Sequence, residues 1–342
     1  MIISRDKCTV FTFLLPVLAS CAFYTGTAVA SEKAKNVVLD TSNITLSGMS
    51  SGGYMATQFH FSHPELVAGV GVFAAGPYGC AQNSIMTALA QCIDKAPETY
   101  ADKIKDISTT LGPSISQIKN DKVWLFHGAL DTKISSKVAS ALQAQYAQLV
   151  AASNLAVVNN KPVAHLFPTL ENGVDCEESA SPYIGKCNFD GAGEMLSFIL
   201  GPLQNPVDKN TAMQAGELIT FEQNALANID NTGMNEQSFV YLPNSCLDGK
   251  SCKVHISFHG CNQSIDNVGQ QYATSTGLNE WAASNRLVIL YPQIAKSSFM
   301  PMNPQACWDW WGYTGSDYLN KDGKQIAAVH KILLSLEAYL NR

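Results

Sequence analysis

Three residues have the side chains that acyl transfer by a serine nucleophile requires. Ser50 lies in Gly48-x-Ser50-x-Gly52, Asp131 closes Gly128-Ala129-Leu130-Asp131, and His165 sits in Pro162-Val163-Ala164-His165-Leu166-Phe167. A serine hydroxyl is a weak nucleophile at neutral pH. It needs a base within hydrogen-bond reach and a carboxylate that holds the base in the right tautomer. The run Asn43-Ile44-Thr45-Leu46 before the serine reads as a strand, and Gly53-Tyr54-Met55-Ala56-Thr57-Gln58-Phe59 after it reads as a helix. In that strand–turn–helix context, G-x-S-x-G forms a nucleophile elbow. The flanking glycines let the helix pack close while the hydroxyl stays exposed.

Asp131 follows the expected strand Lys122 to His127 in a glycine-led turn, the place a triad acid takes when the order is serine, acid, histidine. The competing role for such an Asp is a turn or helix cap. Among seven histidines, His60 and His63 lie on or just past the elbow helix, and His127 precedes the acid. His255 lies inside a strand, His330 inside the last helix, and His259 in a separate motif. His165 is left as the base. An oxyanion hole needs two backbone N–H groups aimed at the developing charge. Ser51, the residue after the nucleophile, supplies one, and Cys261 in Phe258-His259-Gly260-Cys261 supplies the other.

The elements that must position these groups alternate between strands and helices, which predicts a mostly parallel sheet covered on both faces. Strands are expected at 66–75, 122–127, 155–158, 218–221, 237–242, 253–258 and 287–291, with an extended segment at 162–167. Helices are expected at 134–152, 192–200, 266–284 and 323–340, and residues 76–121 read as an insertion over the sheet. The His259-Gly260 strand and loop should precede the serine strand in an α/β-hydrolase, yet they follow Ser50 by some two hundred residues. A circular permutation resolves the order. The helix at 323–340 would pack beside the serine strand, and segment 201–216, with two prolines and no apolar period, would be the permutation linker.

The chain has 342 residues, 46% hydrophobic and 15% charged, with a net charge of −6. This fits a globular protein and argues against nucleic acid or an anionic membrane surface as partner. Beyond the N-terminus no stretch is long and apolar enough for a transmembrane span. Arg5 and Lys7 precede an apolar run from Val10 to Leu18, the pattern of a secretory signal peptide. Cleavage after Ala28-Val29-Ala30 would leave 31–342 as a single catalytic domain, secreted. The competing box Leu18-Ala19-Ser20-Cys21 would put a lipid anchor on Cys21, in the periplasm or outer membrane. Eight of the ten cysteines lie beyond Cys21, an even count that suggests disulfides but permits about 105 connectivities. Sequence proximity favours Cys80–Cys92, Cys176–Cys187 and Cys246–Cys252, leaving Cys261–Cys307. No C-x-x-C pair is present, so zinc is disfavoured.

Several segments together resemble a known family. Ser47-Gly48-Met49-Ser50-Ser51-Gly52-Gly53-Tyr54-Met55-Ala56, His165-Leu166-Phe167-Pro168-Thr169, Cys187-Asn188-Phe189-Asp190-Gly191-Ala192-Gly193 and His259-Gly260-Cys261-Asn262-Gln263 are similar to segments of extracellular poly(3-hydroxybutyrate) depolymerases of the single-domain, circularly permuted kind. The resemblance implies Ser50, Asp131 and His165 as triad, Ser51 and Cys261 as oxyanion hole, and a polyester or oligoester substrate. It implies no metal and no organic cofactor. Trp308 is similar to the aromatic wall of the family's crevice, with Tyr54 and His259 as further substrate contacts. Two other functions fit parts of the pattern: a carbohydrate esterase of the feruloyl or acetylxylan type, and a catalytically dead surface-binding protein.

Overall fold

The strand that carries Ser50 lies at the centre of the sheet. The computed structural model describes residues 35–95 and 112–342; the expected signal peptide, Cys21 and part of the 76–121 insertion lie outside the described residues. In chain order the strands are β1 (Asn36–Met49), β2 (Val67–Phe73), β3 (Lys122–Phe126), β4 (Leu155–Val158), β5 (Phe167–Thr169), β6 (Val174–Asp175), β7 (Ile184–Lys186), β8 (Gly216–Glu222), β9 (Gln237–Pro243), β10 (Asp248–Phe258) and β11 (Leu287–Tyr291). Eight of them form one sheet in the order β4-β3-β2-β1-β10-β11-β9-β8. β9 alone runs opposite to the other seven strands.

That order explains how the chain builds its site. Counted from β8, the strands lie in the sheet as first, second, fourth, third, and then β1 to β4 as fifth to eighth. This is the α/β-hydrolase order, with the second strand antiparallel and the chain opened just before the serine strand. The chain therefore has a circularly permuted α/β-hydrolase fold. The helix Lys324–Leu340 lies where the permutation requires. Its residue Glu337 accepts from the Leu39 N–H at 2.7 Å. Asn341, just past its end, accepts from Val37 N–H and donates to Val37 C=O, both at 2.8 Å. Ile326, Val329, Ile332, Leu333, Leu336 and Leu340 are buried, the three-and-four spacing of a helix with one face in the core.

Three expected elements differ from the structure. The helix expected at 266–284 is three short helices, Ile265–Val268, Gln271–Ser275 and Leu278–Asn285, because Gly269 (φ 58°) and Gly277 (φ 85°) take left-handed backbone between them. The linker at 201–216 contains the helix Lys209–Ala215, started by Asp208, whose carboxylate accepts from Asn210 and Thr211 N–H. The segment 162–167 is mostly not a strand. Its carbonyls and amides are tied to loops instead: Val163 O accepts from Leu130 N–H, as Lys161 O does from Ala129 N–H, and Ala164 N–H donates to Cys176 O. Only Phe167 onward pairs, as β5 in a separate small sheet of order β5-β7-β6.

Candidate active site

Ser50 occupies the tight turn between β1 and the helix Ser51–Ser62, at φ 54° and ψ −119°. A non-glycine residue holds such a conformation only where the surroundings over-determine it. Here Ser50 N–H is fixed to Phe73 O at 2.9 Å. The flanking glycines are required by close approach: a Cβ on Gly48 would lie 2.0 Å from Gly52 O, and one on Gly52 2.2 Å from Phe258 O. The elbow helix is thereby pressed against the end of β10, which leads into the His259-Gly260 loop.

The structure brings Ser50, His165 and Asp131 together. His165 Nε2 lies 3.0 Å from Ser50 Oγ, and His165 Nδ1 lies 2.8 Å from Asp131 Oδ2. A carboxylate can only accept, so Nδ1 carries the proton and Nε2 is free to take the one from Ser50. Asp131 Oδ1 accepts from Lys133 N–H at 2.7 Å and Ile134 N–H at 3.0 Å, which fixes the carboxylate plane. Burial alone would raise the Asp131 pKa, but the His165 hydrogen bond and charge and these two N–H groups outweigh it and lower it. His165 N–H donates to Ser179 Oγ at 3.0 Å, anchoring the base from its backbone side.

A cavity of about 450 Å³ opens over Ser50 and His165, and Ser51, Cys261, Tyr54, Trp310 and Trp311 also line it. The backbone N–H groups of Ser51 and Cys261 meet no acceptor among the described residues. Both therefore remain available for a developing oxyanion. Cys261 is bridged to Cys307, and the other disulfides are Cys80–Cys92, Cys176–Cys187 and Cys246–Cys252. Sequence proximity singles out the same pairs. Cys307 also lines the cavity, so the Cys261–Cys307 bridge joins two of its walls.

No protein-family model matches the chain. It is 34% identical over 330 residues to the poly(3-hydroxybutyrate) depolymerase of Delftia acidovorans, covering 93% of this chain and 65% of that protein's length. It is 34% identical over 304 residues to the polyhydroxybutyrate depolymerase of Talaromyces funiculosus, covering 85% of this chain and 88% of the relative. The chain belongs to the polyhydroxybutyrate depolymerase family. The crystal structure of PHB depolymerase from Penicillium funiculosum matches with a TM-score of 0.80 at 31% identity, covering 88% of this chain and 97% of that one. A serine-to-alanine variant of PHB depolymerase complexed with R3HB trimer matches with a TM-score of 0.79 at 32% identity, covering 88% and 96%.

Two of the expected substrate contacts lie elsewhere in this depolymerase-family chain. Trp308 is fully buried, its ring edge-on to Phe258 at 5.0 Å, and only its backbone N–H nears the elbow, donating to Ser51 Oγ at 3.3 Å. His259 is buried as well, with both ring nitrogens bonded to backbone groups. Neither lines the cavity. Tyr54 does, stacked on Trp310 with ring centroids 4.6 Å apart, its hydroxyl donating to Cys92 O at 2.6 Å. The aromatic wall beside Tyr54 is made by Trp310 and Trp311. Asp309 turns the chain there by accepting from Gly312, Tyr313 and Thr314 N–H at 2.6, 2.9 and 2.8 Å. The Asp followed by Gly312 and Thr314 is the sequence signal for that turn.

The remaining histidines lie outside the Ser50–His165–Asp131 run. His60 bonds Tyr146 and Asp121. His255 is held between Thr45 and Ser47 hydroxyls at 2.8 Å each. His63 packs on His330. His127 lies 4.0 Å from Asp131 Oδ2, too far to hydrogen-bond. Among the described residues no group of three or more His, Cys, Asp or Glu is placed to hold a metal, and no helix is long and apolar enough to cross a membrane.

Proposed function

We propose that this chain is an exported serine esterase that hydrolyses poly(3-hydroxybutyrate), or oligomers of short hydroxyalkanoates, through an acyl-enzyme on Ser50. The observation that carries the proposal is the hydrogen-bonded run Ser50–His165–Asp131 opening into an aromatic-walled cavity. His165 Nε2 takes the Ser50 proton as Oγ attacks the ester carbonyl, and the Asp131 carboxylate steadies the imidazolium. The Ser51 and Cys261 N–H groups receive the oxyanion. The alcohol end of the chain leaves with the proton from His165. Water, activated by the same imidazole, then frees the hydroxyacyl group. Tyr54, Trp310 and Trp311 give the apolar surface suited to methyl-bearing monomers. Residues 1–30 act as a signal peptide cleaved after Ala30, rather than as a lipidation signal for Cys21, and 31–342 work as one catalytic domain.

The test is product analysis on amorphous poly(3-hydroxybutyrate), with the wild type and Ser50→Ala side by side, and with feruloyl and acetyl-xylan esters as competing substrates. Soluble hydroxybutyrate monomer or oligomers should appear with the wild type alone. Turnover confined to the sugar esters would replace this function with that of a carbohydrate esterase.

A further inference from the structure

The two bonds of the His259 ring fix its tautomer. Nδ1 lies 2.8 Å from the Gly260 carbonyl oxygen, which can only accept, so Nδ1 carries the proton. Nε2 accepts the Ile294 N–H at 3.2 Å and is therefore the bare nitrogen. Burial lowers the His259 pKa to about 4, consistent with a ring that would have to break the Ile294 bond to gain a second proton.

The Gly260 carbonyl belongs to the peptide unit whose N–H is that of Cys261. This peptide is trans, so its C=O and N–H point in opposite directions. The carbonyl is held on one side by His259 Nδ1–H and by Gln263 N–H at 3.2 Å. Gln263 Oε1 in turn accepts from Gly260 N–H at 2.8 Å. A donor on the carbonyl also polarises the peptide and strengthens its N–H as a donor.

We propose that His259 is a positioning residue for the oxyanion hole: its neutral imidazole locks and polarises the Gly260–Cys261 peptide so that the Cys261 N–H faces the cavity. The proposal rests on the serine-esterase function above and gives the buried histidine of the His-Gly pair a task distinct from substrate contact.

The experiment compares His259→Asn, whose amide N–H falls near the Nδ1 position, with His259→Gln, whose amide falls near Nε2. Turnover of a soluble butyrate ester is measured with active sites counted by fluorophosphonate titration, together with affinity for an alkyl boronate that mimics the tetrahedral intermediate. Loss of one well-placed oxyanion donor costs about 10²–10³ in rate. A misaimed donor should therefore cost His259→Gln about 10–100-fold in kcat with KM nearly unchanged. Boronate affinity should fall in parallel, and His259→Asn should recover most of both. Equal losses in the two variants, wild-type kcat in both, or a loss confined to KM would overturn the proposal. If neither variant folds, nitrogen-15 NMR of histidine-labelled wild type decides: a neutral Nδ1–H tautomer at neutral pH supports it, and an Nε2–H tautomer overturns it. Absence of Ser50-dependent ester hydrolysis in the wild type would overturn the esterase function and this role together. Ser50-dependent hydrolysis with equal losses in both variants would overturn this role alone.

Discussion

Asp131→Asn tests the triad at its most constrained bond. In the native site, Oδ1 accepts from Lys133 and Ile134 N–H at 2.7 and 3.0 Å, and Oδ2 accepts from His165 Nδ1–H at 2.8 Å. An asparagine must keep its carbonyl oxygen toward the two backbone N–H groups, because its NH₂ would meet two donors there. Its NH₂ therefore faces His165. The imidazole then has to present a bare Nδ1 and move its proton to Nε2, the nitrogen 3.0 Å from Ser50 Oγ. A protonated Nε2 cannot take the serine proton. In serine proteases, the same Asp-to-Asn change in the triad leaves the geometry intact but traps the wrong tautomer and lowers kcat by about 10⁴. That factor corresponds to about 5 kcal/mol of transition-state stabilisation. The same order is expected here, with the backbone bonds to Oδ1 kept and the melting temperature changed little. The assay is kcat on a soluble butyrate ester at neutral pH, corrected for folded protein by circular dichroism. A folded Asp131→Asn within about tenfold of wild type would refute the role of Asp131.

Three further outcomes follow from particular contacts. Gly52→Ala puts a Cβ 2.2 Å from Phe258 O and 2.4 Å from His259 O, both backbone atoms. It should destabilise by about 3 kcal/mol or more, read as a lowered midpoint in denaturant. Trp308→Ala empties a fully buried site and should cost about 3–5 kcal/mol of stability, whereas Trp311→Ala, at a half-buried residue on the cavity wall, should mainly raise KM; the reverse pattern would restore Trp308 to the cleft. Burial lowers His255 to about 3 and His259 to about 4 from an ordinary 6.5. Between pH 6.5 and 4 the unfolded chain therefore binds protons that the folded one refuses, and stability should fall on acidification through that window. His255→Asn should flatten the slope by about 1.4 kcal/mol per pH unit, followed as melting temperature against pH.

Much of the site was legible in the sequence because its constraints are local. Gly48 and Gly52 mark a turn that admits no Cβ, Asp131 sits in a turn after a predicted strand, His165 lies near the end of an extended segment, and six of the eight bridged cysteines pair within a short loop. The permuted order was legible from where His259-Gly260 falls relative to Ser50. What escaped depended on contacts between distant segments. Residues 162–166 read as an extended segment from their apolar pattern, but they join no sheet: their hydrogen bonds go to the Asp131 loop and to Cys176. Composition cannot tell Trp308, which is buried in the core, from Trp310 and Trp311, which line the cavity. The helix Lys209–Ala215 was hidden by the prolines before it, although Asp208 is an ordinary cap.

The most direct test of the central claim is labelling with a fluorophosphonate followed by peptide mapping. The geometry at Ser50 predicts one adduct per chain, on the peptide containing Ser50, lost in Ser50→Ala and strongly slowed in His165→Ala. An unlabelled native protein, or an adduct on any other residue, would contradict it.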